Sequence, residues 1–338
     1  MKKIYASVFC ILLCSCVLTA CNHKNPLSGL KNDSGSSDSS FRKLASISPI
    51  SSCLSGRFSV SETEKNTRIF TDAVEKNIAQ NAVASSGYTN GQQIALDPSW
   101  EYADHSAIHS GTATIYLATA NRKGKIIGVN AGHGTSGGTS VKTFCHPDGS
   151  PKTTGGSTAE GAIQAIAVSS GMTFLDGTSE PTVTLRMAQI LKEKLLAEGY
   201  DVLMVRDGED VQLDNVARTV LCNHVADCHI ALHWDGDGLN YDKGCFYISV
   251  PDALKSMEPV ASHWQQHDAL GEALVTGLRN IGATIYQNGH MNVDLTQTSY
   301  STIPSVDVEL GNAASDHSDS TLSQLADGLV QGLNQYSW

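Results

Sequence analysis

From residue 112 onward, short apolar runs with strand character alternate with longer stretches of helical spacing. Residues 113–119 and 125–130 are strand-like, and Asn121-Arg-Lys-Gly124 between them makes a hairpin the expected connection. Residues 181–198 carry helical spacing behind Pro181 and stop at Gly199, a residue suited to a left-handed helix cap. A strand at 201–205, a helix over 213–224, strands at 229–233, 245–250 and 306–309, and helices over 269–280 and 322–333 complete the set. Strands alternating with helices of this length predict an α/β fold of three layers, α/β/α, with a mostly parallel central sheet and helices on both faces. Helical spacing also predicts a helix over 62–81, where Phe70, Ala73, Val74 and Ile78 share a face. Nothing in that segment indicates a role.

The N-terminal pattern is of a different kind. Lys2 and Lys3 precede an apolar stretch over 4–17. A spanning helix needs roughly 20 apolar residues, so this stretch has the length of a signal-peptide core instead. It runs into Leu18-Thr19-Ala20-Cys21, which resembles the lipobox of bacterial lipoproteins. That resemblance implies removal of residues 1–20 and acylation of Cys21; an ordinary secretory signal cut nearby is the other reading. Either way export to the cell envelope is expected, and the lipobox reading makes lipid the membrane anchor on the periplasmic or cell-surface side. Residues 21–56, rich in Ser, Asn, Lys and Gly (Ser34-Gly-Ser-Ser-Asp-Ser-Ser40), read as a flexible tether. Residues 57–110 form an extension of unassigned role, and 111–338 the catalytic domain, with a long insertion at about 135–178.

Composition narrows the partners. The formal charge is −11, and loss of Lys2 and Lys3 makes the mature chain more acidic. Nucleic-acid binding needs clustered Lys and Arg to displace counterions, so that class is excluded. Of nine cysteines, Cys10, Cys14, Cys16 and Cys21 belong to the leader, leaving Cys53, Cys145, Cys222, Cys228 and Cys245, an odd number. Cys222 and Cys228 are the pair nearest in sequence, and whether they bridge is left open. No Cys-x-x-Cys occurs to suggest a cysteine zinc site.

Chemistry gathers at strand ends, where open α/β sheets place their ligand sites. The first parallel strand runs into Ala131-Gly-His-Gly134; another ends at His233 and a third at Glu309. Glu180 opens a helix beside Pro181. Two imidazoles and a carboxylate, with a fourth position left to water, suit a catalytic zinc ion.

The run Gly132-His-Gly134, Glu180 heading a helix, Val205-Arg-Asp207, Leu213, Arg218, Asn223, Ala226-Asp227 and Ile230-Ala-Leu-His233 resembles the zinc-type N-acetylmuramoyl-L-alanine amidases of the amidase-3 family. Glu198-Gly-Tyr-Asp-Val202 and Ser305-Val-Asp-Val-Glu309 with Asn312 extend the resemblance, which covers roughly residues 124–335. It implies Zn2+ held by His133, Glu180 and His233, and Glu309 as the catalytic carboxylate. It also implies peptidoglycan as substrate, cut between N-acetylmuramic acid and L-alanine.

Three features depart from the family pattern. Asn130-Ala131 stands where Asp-Pro is usual, and Ala231-Leu-His-Trp-Asp235 places Trp234 beside a ligand. The interval from His133 to Glu180 is about thirty residues longer than usual, and its Glu160 is a rival carboxylate ligand. The insertion raises self-inhibition, relieved by a regulatory protein of unknown kind, as an expectation to test. Rival functions are a zinc peptidase acting within the stem peptide and a non-catalytic peptidoglycan-binding lipoprotein. His263 and His267, four apart on a helix, lack the Glu of His-Glu-x-x-His, and His224 and His229 read as structural. Ser136 and Ser140 have no Gly-x-Ser-x-Gly elbow, and Gly132-x-Gly134 lacks the third glycine of a phosphate cradle.

Overall fold

The computed structural model describes residues 87–338. The leader, Cys21, the tether, the helix expected over 62–81 and Cys53 lie outside the described residues.

Among the described residues there are ten strands: β1 (Gln92–Ala95), β2 (Thr112–Tyr116), β3 (Ile126–Ala131), β4 (Lys142–Phe144), β5 (Gln164–Ile166), β6 (Asp201–Met204), β7 (Cys228–Asp235), β8 (Cys245–Ser249), β9 (Ile285–Asn292) and β10 (Ser305–Asn312). Among the same residues five α-helices accompany them: α1 (Glu180–Glu198), α2 (Asn215–Val225), α3 (Val260–Asn280), α4 (Thr296–Tyr300) and α5 (Asp319–Gln335). Eight strands make one sheet in the order β1-β2-β6-β3-β7-β10-β8-β9, while β4 and β5 pair separately. The central four, β6, β3, β7 and β10, are mutually parallel. β2 and β8 flank them antiparallel. The expected α/β/α architecture is therefore present, with mixed edges.

The hairpin expected between the first two strand-like runs does not form. β6 lies between β2 and β3, antiparallel to the first and parallel to the second. All four β6 residues are buried, so this strand needs a neighbour on each side, and a tight turn at 121–124 would exclude it. Two further strands of the eight-stranded sheet escape the sequence pattern. β1 adds to β2 at one edge, so part of the extension belongs to the catalytic sheet. β9 adds to β8 at the other, with mostly half-buried or exposed residues and no clean apolar face.

Alternation along the strands sorts the chain into two faces. Cys228, Ile230, Leu232 and Trp234 of β7, with Val306, Val308 and Leu310 of β10, join a core with Met187, Leu191 and Leu195 of α1, Leu270, Leu274 and Leu278 of α3, and Leu322, Leu329 and Leu333 of α5. The intervening residues face the opposite side, where α2 packs Ala217, Leu221 and Val225 against β2 and β6. There β7 presents His229, Ala231 and His233, and β10 presents Ser305, Asp307 and Glu309. Apolar coverage on this face stops short of β7 and β10, which leaves their polar row available for chemistry. Cys222 and Cys228 are buried free thiols, as are Cys145 and Cys245, so no bridge forms between the pair left open above.

Candidate active site

The turn after β3 is an improbable backbone held by side-chain bonds. His133 has φ of 66°, in the left-handed region that non-glycine residues rarely adopt. Two buried arginines fix the carbonyls around it. Arg206 donates to Ala131 O at 3.2 Å and Gly132 O at 3.0 Å. Arg218 donates to Ala131 O at 3.1 Å and His133 O at 2.7 Å. Burial pushes the Arg206 guanidinium down to about 10, and pushes Arg218 down to about 9 with help from Arg206. Arg218 also donates to Asn130 Oδ1 at 3.0 Å, so the residue standing in place of the family's Asp supplies an acceptor without a charge.

Gly132 is required at its position. A Cβ there would sit 2.3 Å from Cε1 and 2.5 Å from Nε2 of His233, so the imidazole of β7 lies flat on the turn. The two histidine rings are 4.6 Å apart and nearly perpendicular, at 84°. His133 Nε2 and His233 Nδ1 face each other at 3.0 Å. Glu180 Oε1 lies 2.9 Å from His133 Nε2 and 3.2 Å from His233 Nδ1. Among the described residues, these three form the one group of His, Cys, Asp or Glu whose potential ligand atoms all fall within 4.8 Å of one another. Donor separations of 2.9 to 3.2 Å come within a few tenths of the about 3.3 Å expected around a tetrahedral ion with bonds near 2.0 Å. The donor set and its spacing fit zinc.

The glutamate is gripped from both ends. Trp234 N–H donates to Oε1 at 3.0 Å and Met172 N–H to Oε2 at 2.8 Å. Burial alone would raise the Glu180 carboxyl, but the His133 and His233 imidazoles facing it outweigh that and hold the group well below the usual range. His133 Nδ1 lies 2.9 Å from Ser169 O and 3.0 Å from Ser169 Oγ. Donation of its N–H to that carbonyl leaves Nε2 as the free lone pair facing the cluster. His233 Nε2 faces Asp307 Oδ2 at 3.7 Å.

Glu160, the rival ligand, is exposed in the insertion and lies outside the cluster. Glu309 is paired in register with His233 across β10 and β7. With His133, Glu180, His233 and Trp234 it lines a cleft of about 700 Å³. Its Oε2 is buried without a hydrogen-bond partner, and burial, then Asp307 and Glu180, raise its carboxyl well above the ordinary value. Trp234 adds no bulk at the cluster, because alternation turns its ring into the core against Phe174. Two other histidines take structural places: His267 Nδ1 accepts the Ser305 N–H at 3.0 Å, and His224 stacks on Trp100. Ser136 is tied through its N–H to Asp210.

Sequence reasoning missed Asp307, Ser169 and Met172. Asp307 had a signal, since alternation in Ser305-Val-Asp-Val-Glu309 places it on the face of Glu309. Ser169 acts mainly through its carbonyl and Met172 through its amide, and side-chain type carries no trace of that.

No curated protein matches the chain. Among solved structures, the N-acetylmuramyl-L-alanine amidase of Mycobacterium smegmatis shares 20% identity at a TM-score of 0.51, covering 64% of this chain and 98% of its own. The apo form of the corresponding amidase from Mycobacterium abscessus shares 21% identity at a TM-score of 0.50, covering 63% and 98%. At such identity these similarities speak to the fold. The sequence profile of the amidase-3 family, N-acetylmuramoyl-L-alanine amidase, matches residues 127–332, a stretch that holds both histidines, both glutamates and both buried arginines, and the chain belongs to that family.

Proposed function

We propose that this peptidoglycan amidase is zinc-dependent, with His133, Glu180 and His233 as metal ligands and Glu309 as the general base and acid. The observation that carries the reading is the convergence of two imidazole nitrogens and one carboxylate oxygen on the wall of a cleft that Glu309 also lines. Bound zinc would supply a Lewis acid that polarises the scissile carbonyl and acidifies water at the site. Glu309 takes the proton of the attacking water and returns it to the nitrogen of the leaving L-alanine. Burial, then the neighbouring Asp307 and Glu180 carboxyls, hold the Glu309 carboxyl above its ordinary range, which strengthens it as a base. Ser169 O and the Met172 and Trp234 amides hold the ligands in the orientation that leaves their lone pairs convergent.

We also infer export and attachment to a membrane through acylated Cys21, on the strength of Lys2, Lys3, the apolar stretch over 4–17 and Leu18-Thr19-Ala20-Cys21. Among the described residues no helix is long and apolar enough to cross a membrane. Mass measurement of the mature N-terminal peptide tests this; an unmodified N-terminus elsewhere rejects it.

The decisive experiment is digestion of purified peptidoglycan by wild type, with products identified by mass spectrometry. Stem peptides beginning with free L-alanine, lost on chelation and restored by zinc, are expected. Cuts within the stem peptide would replace this reading with that of a peptidase.

A further inference from the structure

The insertion touches the ligands at one end and is locked into the body at the other. Its return leg runs past the cluster. Besides the Ser169 and Met172 bonds, Gly171 sits in a slot between two ligands at φ of 79°. A Cβ there would come within 2.8 Å of Glu180 Oε2 and 2.9 Å of His133 Cδ2. At the other end stands Asp294, on the loop after β9 and fully buried with His146. His146 Nε2 lies 3.0 and 3.1 Å from its two carboxylate oxygens. Thr153 donates to Oδ2 from its N–H at 2.7 Å and from its hydroxyl at 3.0 Å. Lys152 Nζ donates to the Asp294 carbonyl, and the Asp294 N–H donates to Thr154 Oγ1 at 2.8 Å. His146, Lys152, Thr153 and Thr154 all belong to the insertion, so one buried residue gathers it from four positions, through its carboxylate at His146 and Thr153 and through its main chain at Lys152 and Thr154.

We propose that the return leg Ser169–Met172 is a positioning element for the metal ligands, and that the Asp294 latch keeps the leg in place, so that metal affinity is set in part from a residue that touches no ligand. The proposal rests on the zinc reading above. Between latch and leg the insertion is continuous and tied down. The β4–β5 pairing connects its two arms, Val168 N–H donates to Gly138 O at 3.4 Å, and Asn215 N–H donates to Ala167 O at 3.2 Å. Loosening the latch frees the arms, and the leg then holds His133 and Glu180 less firmly. This makes the insertion part of the metal centre, the opposite of a removable inhibitory plug.

The test is zinc affinity of the full-length protein, measured by competition with a chromophoric chelator, for wild type, Gly171→Ala and Asp294→Asn. Gly171→Ala is expected to weaken zinc by about 10- to 100-fold, as loss of ligand support does. Asp294→Asn is expected to weaken it by about 2- to 30-fold, the range typical of remote coupling residues. The thermal midpoint of each metal-free variant is recorded alongside. A lower midpoint for Asp294→Asn with unchanged zinc affinity would mean a purely structural latch and overturns the proposal. Should Gly171→Ala fail to fold, Asp294→Asn carries the test alone. A wild type that takes up no zinc overturns the zinc reading and this proposal with it, whereas a zinc-binding wild type with unaffected variants overturns this proposal only.

Discussion

On one side of the His133–Glu180–His233 cluster stand β3, β7 and β10, whose main-chain ladders and shared apolar face fix every residue to within a register. On the other side lies the insertion over 135–178, with two three-residue strands and a buried polar network in place of an apolar core. The strand platform places side chains: His133 and His233 project from it, and Glu309 stands in register with His233. The insertion contributes mainly backbone: one carbonyl for His133 and one amide for Glu180. Rigid strands suit groups that must act individually, while a loop cemented by polar contacts can close around them and complete their hydrogen bonds. The cleft exists because neither region covers the other.

The largest effect that probes this division is loss of a proposed ligand. Glu180→Ala is expected to strip zinc from the purified protein and reduce peptidoglycan digestion to background, read by metal analysis and turbidity. It leaves both histidines in place, so retention of stoichiometric zinc would show that a carboxylate elsewhere serves. Glu309→Gln follows. It removes the proton carrier while keeping shape, and activity should fall by about 10²- to 10⁴-fold, the usual worth of a general acid–base group, with zinc content unchanged. Zinc lost along with activity would move Glu309 from the proton-carrying role to a supporting one.

How much of this could be read beforehand follows the same division. The platform was legible because alternation in Ile230-Ala-Leu-His233 and Ser305-Val-Asp-Val-Glu309 is visible in the letters, and strand ends are where sheets carry sites. Glu180 was legible through Pro181 and the helix behind it. The strand order was less so: nothing local says that β6 slips between β2 and β3, because the pairing is settled by burial of both its edges. The insertion was opaque. Its strands are too short to show a period, and Asp294 meets His146 from 148 positions away. Its two most telling contacts with the ligands are main-chain, which any residue type can make.

A smaller effect exposes the platform's weak point. His229 of β7 and His267 of α3 are buried and pushed down to about 3, in each case chiefly by burial, with Arg218 adding to the first and His263 to the second. Both are neutral in the folded protein, whereas in the unfolded chain they take up protons below about 6.5. Stability from this source is therefore complete above about pH 6.5 and is lost as pH falls toward about 3. Urea unfolding at pH 7.5 and pH 4.5 should show a drop on the order of several kcal/mol from the pair. His229 has no hydrogen-bond partner at either nitrogen, so His229→Leu should lessen that drop without a matching loss at pH 7.5. An unchanged drop would assign the acid sensitivity to other groups.

The smallest effect is expected at Glu160, and its smallness is what makes it informative. Glu160 lies in the insertion, could open a helix by sequence, and competes on paper with Glu180 for the metal. In the folded chain it is exposed, outside the ligand cluster, on the stretch between the latch residues and β5. An exposed side chain away from caps and pairs usually changes stability by no more than about 0.5 kcal/mol when replaced. Glu160→Gln should leave zinc affinity, cleavage rate and unfolding midpoint within error of wild type, measured side by side with Gly171→Ala from the same insertion. The contrast between two substitutions so close in sequence separates what the insertion does with its backbone from what its side chains do. Loss of zinc in Glu160→Gln would instead mean that the insertion supplies a ligand of its own, and the division between a side-chain platform and a backbone clasp would fall.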